Sequence, residues 1–157
     1  MGQTLDELDI HLLDLLQADA RTPFVKLASE LDVSDQTVRN RIDRLVHRFG
    51  VKFIVDIDPA ELGLLFLYVA VRVQGTSLER AIERLSSLPE VAFLSRTTGG
   101  YDLIAEVICR DRHHLMRVLD DYRAIPGIVH VDTFNILQVE KENWRFSGLA
   151  MRQGSGD

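Results

Sequence analysis

The chain has 157 residues, of which 46% are hydrophobic and 27% charged, a composition typical of a globular protein with one ordinary domain or two small ones. No stretch approaches the roughly 20 consecutive apolar residues of a membrane-spanning helix, and residues 1–7 lack the basic start and apolar core of a secretory signal. Cys109 is the only cysteine, so no disulfide can form within the chain. We therefore expect a cytoplasmic protein.

The formal net charge of −6 disfavours nucleic acid as a partner, but the charge is unevenly distributed. Residues 1–20 contain five acidic side chains and no Lys or Arg, whereas residues 21–50 contain six basic side chains against four acidic ones. Residues 21–50 are the only net-positive segment, and a local positive charge is what the phosphates of DNA attract. The acidic total weakens a DNA-binding interpretation without excluding it.

The first 50 residues show the periodicity of three helices. Leucines recur at helical spacing over residues 5–16, and acidic side chains crowd the first turn, where the helix dipole favours them. Thr22 is expected to cap a second helix with Pro23 in its first position. Ser34 is expected to cap a third helix that ends at Gly50. The apolar stripe of this third helix consists of Val38, Ile42, Leu45 and Phe49.

Beyond residue 50 the pattern changes to that of an α+β domain. Residues 51–63 are predicted as a hinge, with a strand over 51–58 followed by a turn. The remaining elements are predicted as strand 64–74, helix 77–88, strand 91–97, strand 101–109, helix 111–124 and strand 128–139. This β-α-β-β-α-β order is that of the ferredoxin-like arrangement. We therefore divide the chain into a helix-turn-helix (winged-helix-like) domain over 1–50, the hinge over 51–63, a ferredoxin-like domain over 64–141 and a tail over 142–157.

Both faces of the strand at 64–74 are apolar. One face is expected to meet the two helices, and it consists of Leu65, Leu67, Val69, Val71 and Val73. The other face carries Phe66, Tyr68 and Ala70, and a sheet with helices on one side only leaves such a face in need of a cover. A second copy of the same sheet is the simplest cover, which predicts a homodimer. The alternative cover is the tail, with Trp144 and Phe146.

Residues 27–42 have the pattern of a DNA-binding helix-turn-helix. Ala28 allows the two helices to approach closely, and Leu31 and Val33 anchor the turn. The residues predicted to contact double-stranded DNA, at base edges or phosphates, are Gln36, Thr37, Arg39, Asn40, Arg41 and Arg44. The alternative is an ordinary solvated helix face, but the capped turn, the spacing and the local charge favour DNA. Asp43 on the same face is acidic, which is unusual for a helix that binds DNA. We therefore expect the DNA contacts to come mainly from residues that precede Asp43.

A second candidate site falls between two predicted strands. Two adjacent glycines permit positive φ and let a ligand approach backbone N–H groups, which can hold a carboxylate. Asp102 can accept hydrogen bonds from an ammonium group, so the segment suits an amino acid. The predicted effector-binding residues are Thr98, Gly99, Gly100, Tyr101 and Asp102. The alternative is a glycine hairpin turn in which Asp102 bonds to its own loop.

Catalytic and metal sites are not predicted. The adjacent His113 and His114 point in different directions on a helix, which disfavours a metal site, and Cys109 has the setting of a packed side chain. The sequence contains no phosphate-binding glycine motif, no zinc-protease motif and no clear catalytic triad. We therefore expect no cofactor and no enzymatic activity.

Three segments resemble one family, the Lrp/AsnC (feast/famine) transcriptional regulators. Leu5–Arg21 is similar to the opening helix of that family, and the helix-turn-helix and Thr98–Leu103 resemble its two further signatures, so the similarity runs from about residue 5 to 141. The resemblance implies a ferredoxin-like domain that pairs sheets into dimers, often forms tetramers or octamers, and commonly binds amino acids between dimers. It favours the effector-binding interpretation, with further pocket residues from a neighbouring subunit. The chain departs from the family in the hinge, where Lys52–Ile54 stands in place of an Ile and a further Gly.

Two alternatives remain open. Sirohaem decarboxylases are enzymes that resemble the Lrp/AsnC regulators in architecture, and a fold does not determine a function. However, tetrapyrrole carboxylates require cations, and Gly99, Gly100 and Asp102 supply none. The other alternative is a small-molecule sensor that does not bind DNA, which the capped turn and the arginines of the first domain disfavour.

Overall fold

The computed structural model describes residues 4–141 and residue 145, and the chain folds as two units. The N-terminal unit comprises Met1–Val55 with Glu140–Asp157, and the C-terminal unit comprises Asp56–Val139. Within the described residues, no helix combines the length and apolar character needed to cross a membrane.

The described residues of the N-terminal unit form three helices, α1 (Glu7–Ala18), α2 (Phe24–Glu30) and α3 (Asp35–Phe49). Helix α3 begins as predicted, because the Ser34 hydroxyl accepts a hydrogen bond from the Thr37 N–H at 3.1 Å. Gly50 ends α3 in the left-handed conformation, with φ of 69°. The apolar side chains of the three helices form one core, with Leu12, Leu27, Val38 and Leu45 fully buried or nearly so.

The start of α2 differs from the prediction. Pro23 is the N-cap residue and no side chain caps the helix. The Thr22 hydroxyl instead donates to the Asp19 carbonyl at 2.8 Å, in the turn that precedes α2. The predicted Thr22 cap is therefore wrong, because α2 begins one residue later than predicted and its N-cap position falls on Pro23.

The linker also differs from the prediction, because residues 51–58 form no strand. Phe53, Ile54 and Val55 are exposed in this segment. A strand is stabilised by hydrogen bonds to a neighbouring strand, and no described strand pairs with residues 51–58. The segment leads into a short 3-10 helix, Pro59–Leu62, that the Asp58 side chain caps.

The C-terminal unit is a four-stranded antiparallel sheet with two helices. Its elements are β1 (Leu65–Val73), α4 (Leu78–Ser86), β2 (Val91–Arg96), β3 (Leu103–Cys109), α5 (Arg112–Ala124) and β4 (Ile128–Asn135). The strand order β2-β3-β1-β4 gives the predicted ferredoxin-like α+β fold. Strand β4 ends at Asn135 rather than at residue 139, because its pairing with β1 ends where Asn135 meets Leu67.

One face of the sheet packs on the helices as the alternation in β1 predicts. Val69 and Val71 are buried in a core with Leu85 of α4 and Tyr122 of α5. Leu67, two residues before Val69 in β1, is also buried. Alternate residues place the opposite side chains on what we call the outer sheet face: Phe66, Tyr68, Phe93, Ile104, Glu106, Asp132 and Phe134.

The outer sheet face is rich in aromatic side chains. The rings of Phe66 and Tyr68 are in edge-to-face contact, with centroids 5.4 Å apart, and the Tyr68 hydroxyl donates to Glu106 Oε1 at 3.1 Å. Phe93 is 52% exposed and Phe134 is 49% exposed. Trp144 and Phe146, the alternative cover of this face, lie outside the described residues.

Candidate DNA-binding and ligand-binding sites

The exposed face of α3 carries a pair of amide side chains in its N-terminal half. Gln36 and Asn40 are both exposed, and Gln36 Nε2 donates to Asn40 Oδ1 at 3.0 Å. Asp43 and His47 continue this face and are also exposed. The N-terminal half of a recognition helix is the part that reaches base edges in the major groove, and an Asn or Gln amide matches the hydrogen-bonding edge of adenine.

Arg39 and Thr37 lie beside the amide pair and are both held by neighbours. Arg39 Nε donates to Asp35 Oδ2 at 2.8 Å, and its guanidinium group lies 4.5 Å from the centroid of the Phe24 ring in α2. The Thr37 hydroxyl is 2.8 Å from the Ser34 hydroxyl. The Arg39 side chain is 50% exposed in spite of these contacts, so its charge remains available to solvent.

Arg41 and Arg44 point towards α1 instead of the exposed face. Arg41 Nη1 lies 3.1 Å from Asp9 Oδ1 and also contacts Asp6, while Arg44 Nη1 lies 2.8 Å from Asp9 Oδ2 and 3.5 Å from Asp6 Oδ2. Arg44 Nη2 donates to the Thr4 carbonyl at 3.1 Å. We call Asp6, Asp9, Arg41 and Arg44 the arginine–aspartate cluster. The structure therefore separates these two arginines from Gln36, Arg39 and Asn40, with which the sequence analysis had grouped them.

The electrostatics of the arginine–aspartate cluster favour the ionised carboxylates. A hydrogen bond from Arg41 lowers the pKa of Asp6 to about 2. Asp6 and Asp9 also cap α1 reciprocally, since the Asp6 side chain accepts from the Asp9 N–H and the Asp9 side chain from the Asp6 N–H. Sequence reasoning missed these two partners, although the run of acidic residues without a Lys or Arg over residues 1–20 was a signal for them.

The predicted effector loop connects β2 to β3 and lies over the end of β1. Gly99 has φ of 101°, as the prediction of positive φ requires. The Thr97 hydroxyl donates to the Tyr101 carbonyl at 2.8 Å, and the Gly100 carbonyl accepts from Arg72 Nε at 3.0 Å. Thr98, Gly99 and Gly100 are exposed.

Asp102 has a structural role in this loop. Its Oδ2 accepts from the Val73 N–H at 2.7 Å, and its own N–H donates to the Val71 carbonyl at 2.9 Å. The carboxylate thus closes the end of β1 with one of its oxygens. The hairpin alternative expected Asp102 to bond within its own loop, whereas the structure shows the bond going to the neighbouring strand.

Three residues of neighbouring strands complete the loop's polar surroundings. Arg72 of β1 lies opposite His130 of β4 in the sheet register. The Tyr101 hydroxyl donates to Asp132 Oδ2, the same oxygen that lies 3.1 Å from His130 Nε2, and the Tyr101 and His130 rings are stacked with centroids 6.5 Å apart. The hydrogen bond to Asp132 raises the pKa of Tyr101 and lowers the pKa of Asp132.

Arg72, His130 and Asp132 were not predicted from the sequence. Only the β1–β4 register brings them to the loop, and a single sequence gives no signal for that register. Their chemistry is suited to a zwitterion, because Arg72 can pair with a carboxylate and Asp132 with an ammonium group.

The remaining candidate residues have structural partners. His114 Nδ1 accepts from the Arg110 N–H at 3.2 Å, and its Nε2 lies 2.8 Å from Glu90 Oε1. Cys109 is buried, and burial raises the pKa of its thiol. Within residues 4–141, no group of three or more His, Cys, Asp or Glu side chains is placed to hold a metal ion.

The helix-turn-helix and the α+β unit together define a two-part class of protein, a DNA-binding module joined to a ligand-binding module. Residues 5–46 match the family model of the AsnC-type helix-turn-helix domain, and residues 67–145 match that of the Lrp/AsnC ligand binding domain. The chain belongs to the Lrp/AsnC family of transcriptional regulators. The resemblance found in the sequence is thereby confirmed.

Individual relatives and solved structures agree with this family. The chain is 34% identical over 141 residues to an uncharacterized HTH-type transcriptional regulator of Pyrococcus abyssi, which covers 87% of this chain and 89% of that protein. It superposes on the structure of E. coli AsnC with a TM-score of 0.78 and 26% identity, covering 90% of this chain and 97% of that one. A transcriptional regulator of Neisseria meningitidis, solved in complex with L-Met, shares the fold with a TM-score of 0.79 and 22% identity over 91% of this chain and 96% of that one.

Proposed function

We propose that this protein is a sequence-specific DNA-binding regulator of transcription whose DNA affinity responds to a small effector, an amino acid. The observation that carries the proposal is the exposed Gln36–Asn40 amide pair, presented in the N-terminal half of a capped recognition helix. The pair lies within the residues that match the AsnC-type helix-turn-helix domain.

We assign base reading to Gln36 and Asn40, since both side chains are exposed and an Asn or Gln amide can make two hydrogen bonds to adenine. Arg39 is placed beside them with half of its side chain exposed, and it suits a guanine or a phosphate. Thr37 suits a phosphate contact at the helix N-terminus. Asp43 repels phosphate and therefore limits the contacts to the first two turns of α3.

We assign effector binding to the loop Thr98–Asp102 together with Arg72 and Asp132. The exposed glycine backbone and the Arg72 guanidinium group suit the carboxylate of an amino acid, and Asp132 suits its ammonium group. The matched ligand-binding domain covers all of these residues. The Neisseria meningitidis regulator with the same fold was solved with L-Met, which makes the amino acids the first compounds to screen.

We propose a homodimer in which two outer sheet faces pack together. Phe93 and Phe134 each leave about half of their surface exposed on this face, and an exposed apolar patch of this kind is typical of an interaction site. Sheet-on-sheet packing buries such a face without a further element. We further propose that the dimers assemble into a tetramer or octamer. A neighbouring subunit would then contribute further residues to the effector site.

We propose no enzymatic activity for this chain, because its family consists of transcriptional regulators. Since the proposed target is DNA, we also propose that the protein acts in the cytoplasm.

Fluorescence anisotropy with the DNA upstream of the protein's own gene tests the assignment. Asn40→Ala should weaken binding to that fragment by roughly 1–3 kcal/mol and change binding to an unrelated fragment little. Asn135→Ala is the matched control, since Asn135 lies exposed at the end of β4 in the other unit. Equal affinity of the wild-type protein for both fragments would refute sequence-specific binding.

A further inference from the structure

The arginine–aspartate cluster connects α1 to the recognition helix. We infer that Arg41 and Arg44 are positioning residues, which orient α3 for DNA binding from within the domain and do not contact DNA themselves. This inference rests on the proposed DNA-binding function, and it replaces the prediction that the two arginines lie at the groove.

Asp9 is the centre of the cluster and is 0% exposed. Its Oδ1 accepts from Arg41 Nη1 at 3.1 Å, and its Oδ2 accepts from Arg44 Nη1 at 2.8 Å and from the Asp6 N–H at 3.1 Å. A buried carboxylate is tolerated only when it is paired and hydrogen-bonded. Oδ2 would keep the Asp6 N–H if Arg44 moved away, but the buried charge of Asp9 is fully paired only while both guanidinium groups stay in place.

The spacing of the two arginines gives the cluster its geometric effect. Residues three apart are neighbours on one side of a helix, so Arg41 and Arg44 tie α3 to α1 at two points along its axis. Two attachments restrain the rotation of α3 as well as its distance from α1. A rotation of roughly 20° would move a side-chain tip at the helix surface by about 2 Å, more than a hydrogen bond to a base tolerates.

The exposure of the arginines separates those that face solvent from those that do not. Arg41 and Arg44 are 27% and 25% exposed, against 50% for Arg39. Moving either of the first two to a phosphate would remove one of the two cations that pair with the buried Asp9, which opposes the movement. Arg39 gives up no buried partner, because Asp35 is itself partly exposed. Of these three arginines, Arg39 is therefore the one that can turn to DNA without leaving a buried charge less well paired.

The salt dependence of DNA binding distinguishes positioning from phosphate contact. Each lost phosphate contact lowers the slope of log K against log salt concentration by about 0.9. We expect the double variant Arg41→Gln/Arg44→Gln to bind the upstream fragment about tenfold or more weakly with an unchanged slope. The matched control Arg39→Gln should lower the slope by about 0.9. A slope reduced by about 1.8 in the double variant would overturn the inference.

Asp9→Asn tests the same cluster from the side of α1. The amide keeps the shape of the side chain but places an N–H₂ group against a guanidinium group, so we expect weaker specific binding with the slope again unchanged. Tighter binding, or a steeper slope, would show that Asp9 withholds the arginines from DNA and would overturn the inference. Circular dichroism at the assay temperature establishes that each variant remains helical.

Conservative variants keep the test decisive if a charge-removing variant unfolds. Arg41→Lys and Arg44→Lys retain the charge, so a phosphate contact would survive, whereas the two-point attachment to Asp9 would not. We expect both to lose specific affinity while binding to an unrelated fragment changes little. Full specific affinity in both would overturn the inference. Absence of specific binding by the wild-type protein would refute the proposed function as well, whereas a reduced slope in the arginine variants would refute the inference alone.

Discussion

Gly127 lies at the start of β4, where a side chain has neither an allowed conformation nor space. Its φ is 93°, and an ideal Cβ at this position would lie 2.2 Å from Ser77 Cβ and 2.5 Å from Ser77 Oγ. The positive φ alone costs an L-residue roughly 1–2 kcal/mol, and forcing extra atoms into a packed site costs roughly 1–3 kcal/mol. Gly127→Ala should therefore lower the free energy of unfolding of the C-terminal unit by about 2–5 kcal/mol.

Gly99→Ala is the matched control, because Gly99 has a φ of 101° with no atom within 4 Å of an added Cβ. It should lose only the conformational part, about 1–2 kcal/mol. Urea unfolding followed by tyrosine absorbance reports on the C-terminal unit, since Tyr68, Tyr101 and Tyr122 are the three tyrosines of the chain and all lie in it. Ser77→Gly removes the clashing atoms and should partly rescue Gly127→Ala. Equal losses in the two glycine variants, or no rescue, would refute the steric reasoning.

Three further predictions concern the turn, the outer sheet face and pH. Asp32 adopts φ of 53° in the helix-turn-helix, a conformation that is costly for a β-branched residue and not for glycine. Asp32→Val should therefore destabilise the N-terminal unit by more than about 1 kcal/mol in thermal unfolding, whereas Asp32→Gly should not. Equal melting temperatures of the two variants would contradict this. Phe134→Asp should convert the proposed dimer to a monomer in light scattering, and a persisting dimer would exclude the outer sheet face as the interface. Because the pKa of Asp6 is about 2 in the folded state against an ordinary 3.8, its contribution is present above pH 3.8 and is lost as pH falls towards 2. Asp6→Asn should remove that part of the acid sensitivity, as measured by circular dichroism.

Elements set by local sequence were predictable. The Ser34 cap, the end of α3 at Gly50 and the buried stripe of α3 each depend on residues within a few positions of one another. The alternation in β1 predicted correctly which side chains meet the helices, because the period of two fixes the face of every residue once one face is buried. The β-α-β-β-α-β order followed from these local patterns.

The errors and omissions involve partners that are distant in sequence or positions where two local contacts compete. The strand predicted over 51–58 fails for lack of a neighbouring strand. Thr22 was predicted as the N-cap of α2, but the N-cap is Pro23, and the Thr22 hydroxyl donates to the Asp19 carbonyl of the preceding turn. Arg41 and Arg44 read as groove residues on a helical wheel, but their acidic partners lie more than 30 residues earlier in the chain. An arginine side chain is long enough to reach around the helix. A helical wheel gives the direction of the Cα–Cβ bond and therefore does not show where the guanidinium group lies.

We propose that this chain binds a particular DNA sequence and that an amino acid alters that binding. A thermal-shift screen first identifies the amino acid that most raises the melting temperature of the protein. The affinities for the upstream fragment and for a shuffled fragment of equal length are then measured at one salt concentration, with and without that amino acid. We expect a roughly 10³-fold or greater preference for the upstream fragment. We also expect the amino acid to change the affinity for DNA by some factor, and DNA to change the affinity for the amino acid by the same factor. Equal affinity for both fragments, unaffected by any of the twenty amino acids, would contradict the proposal.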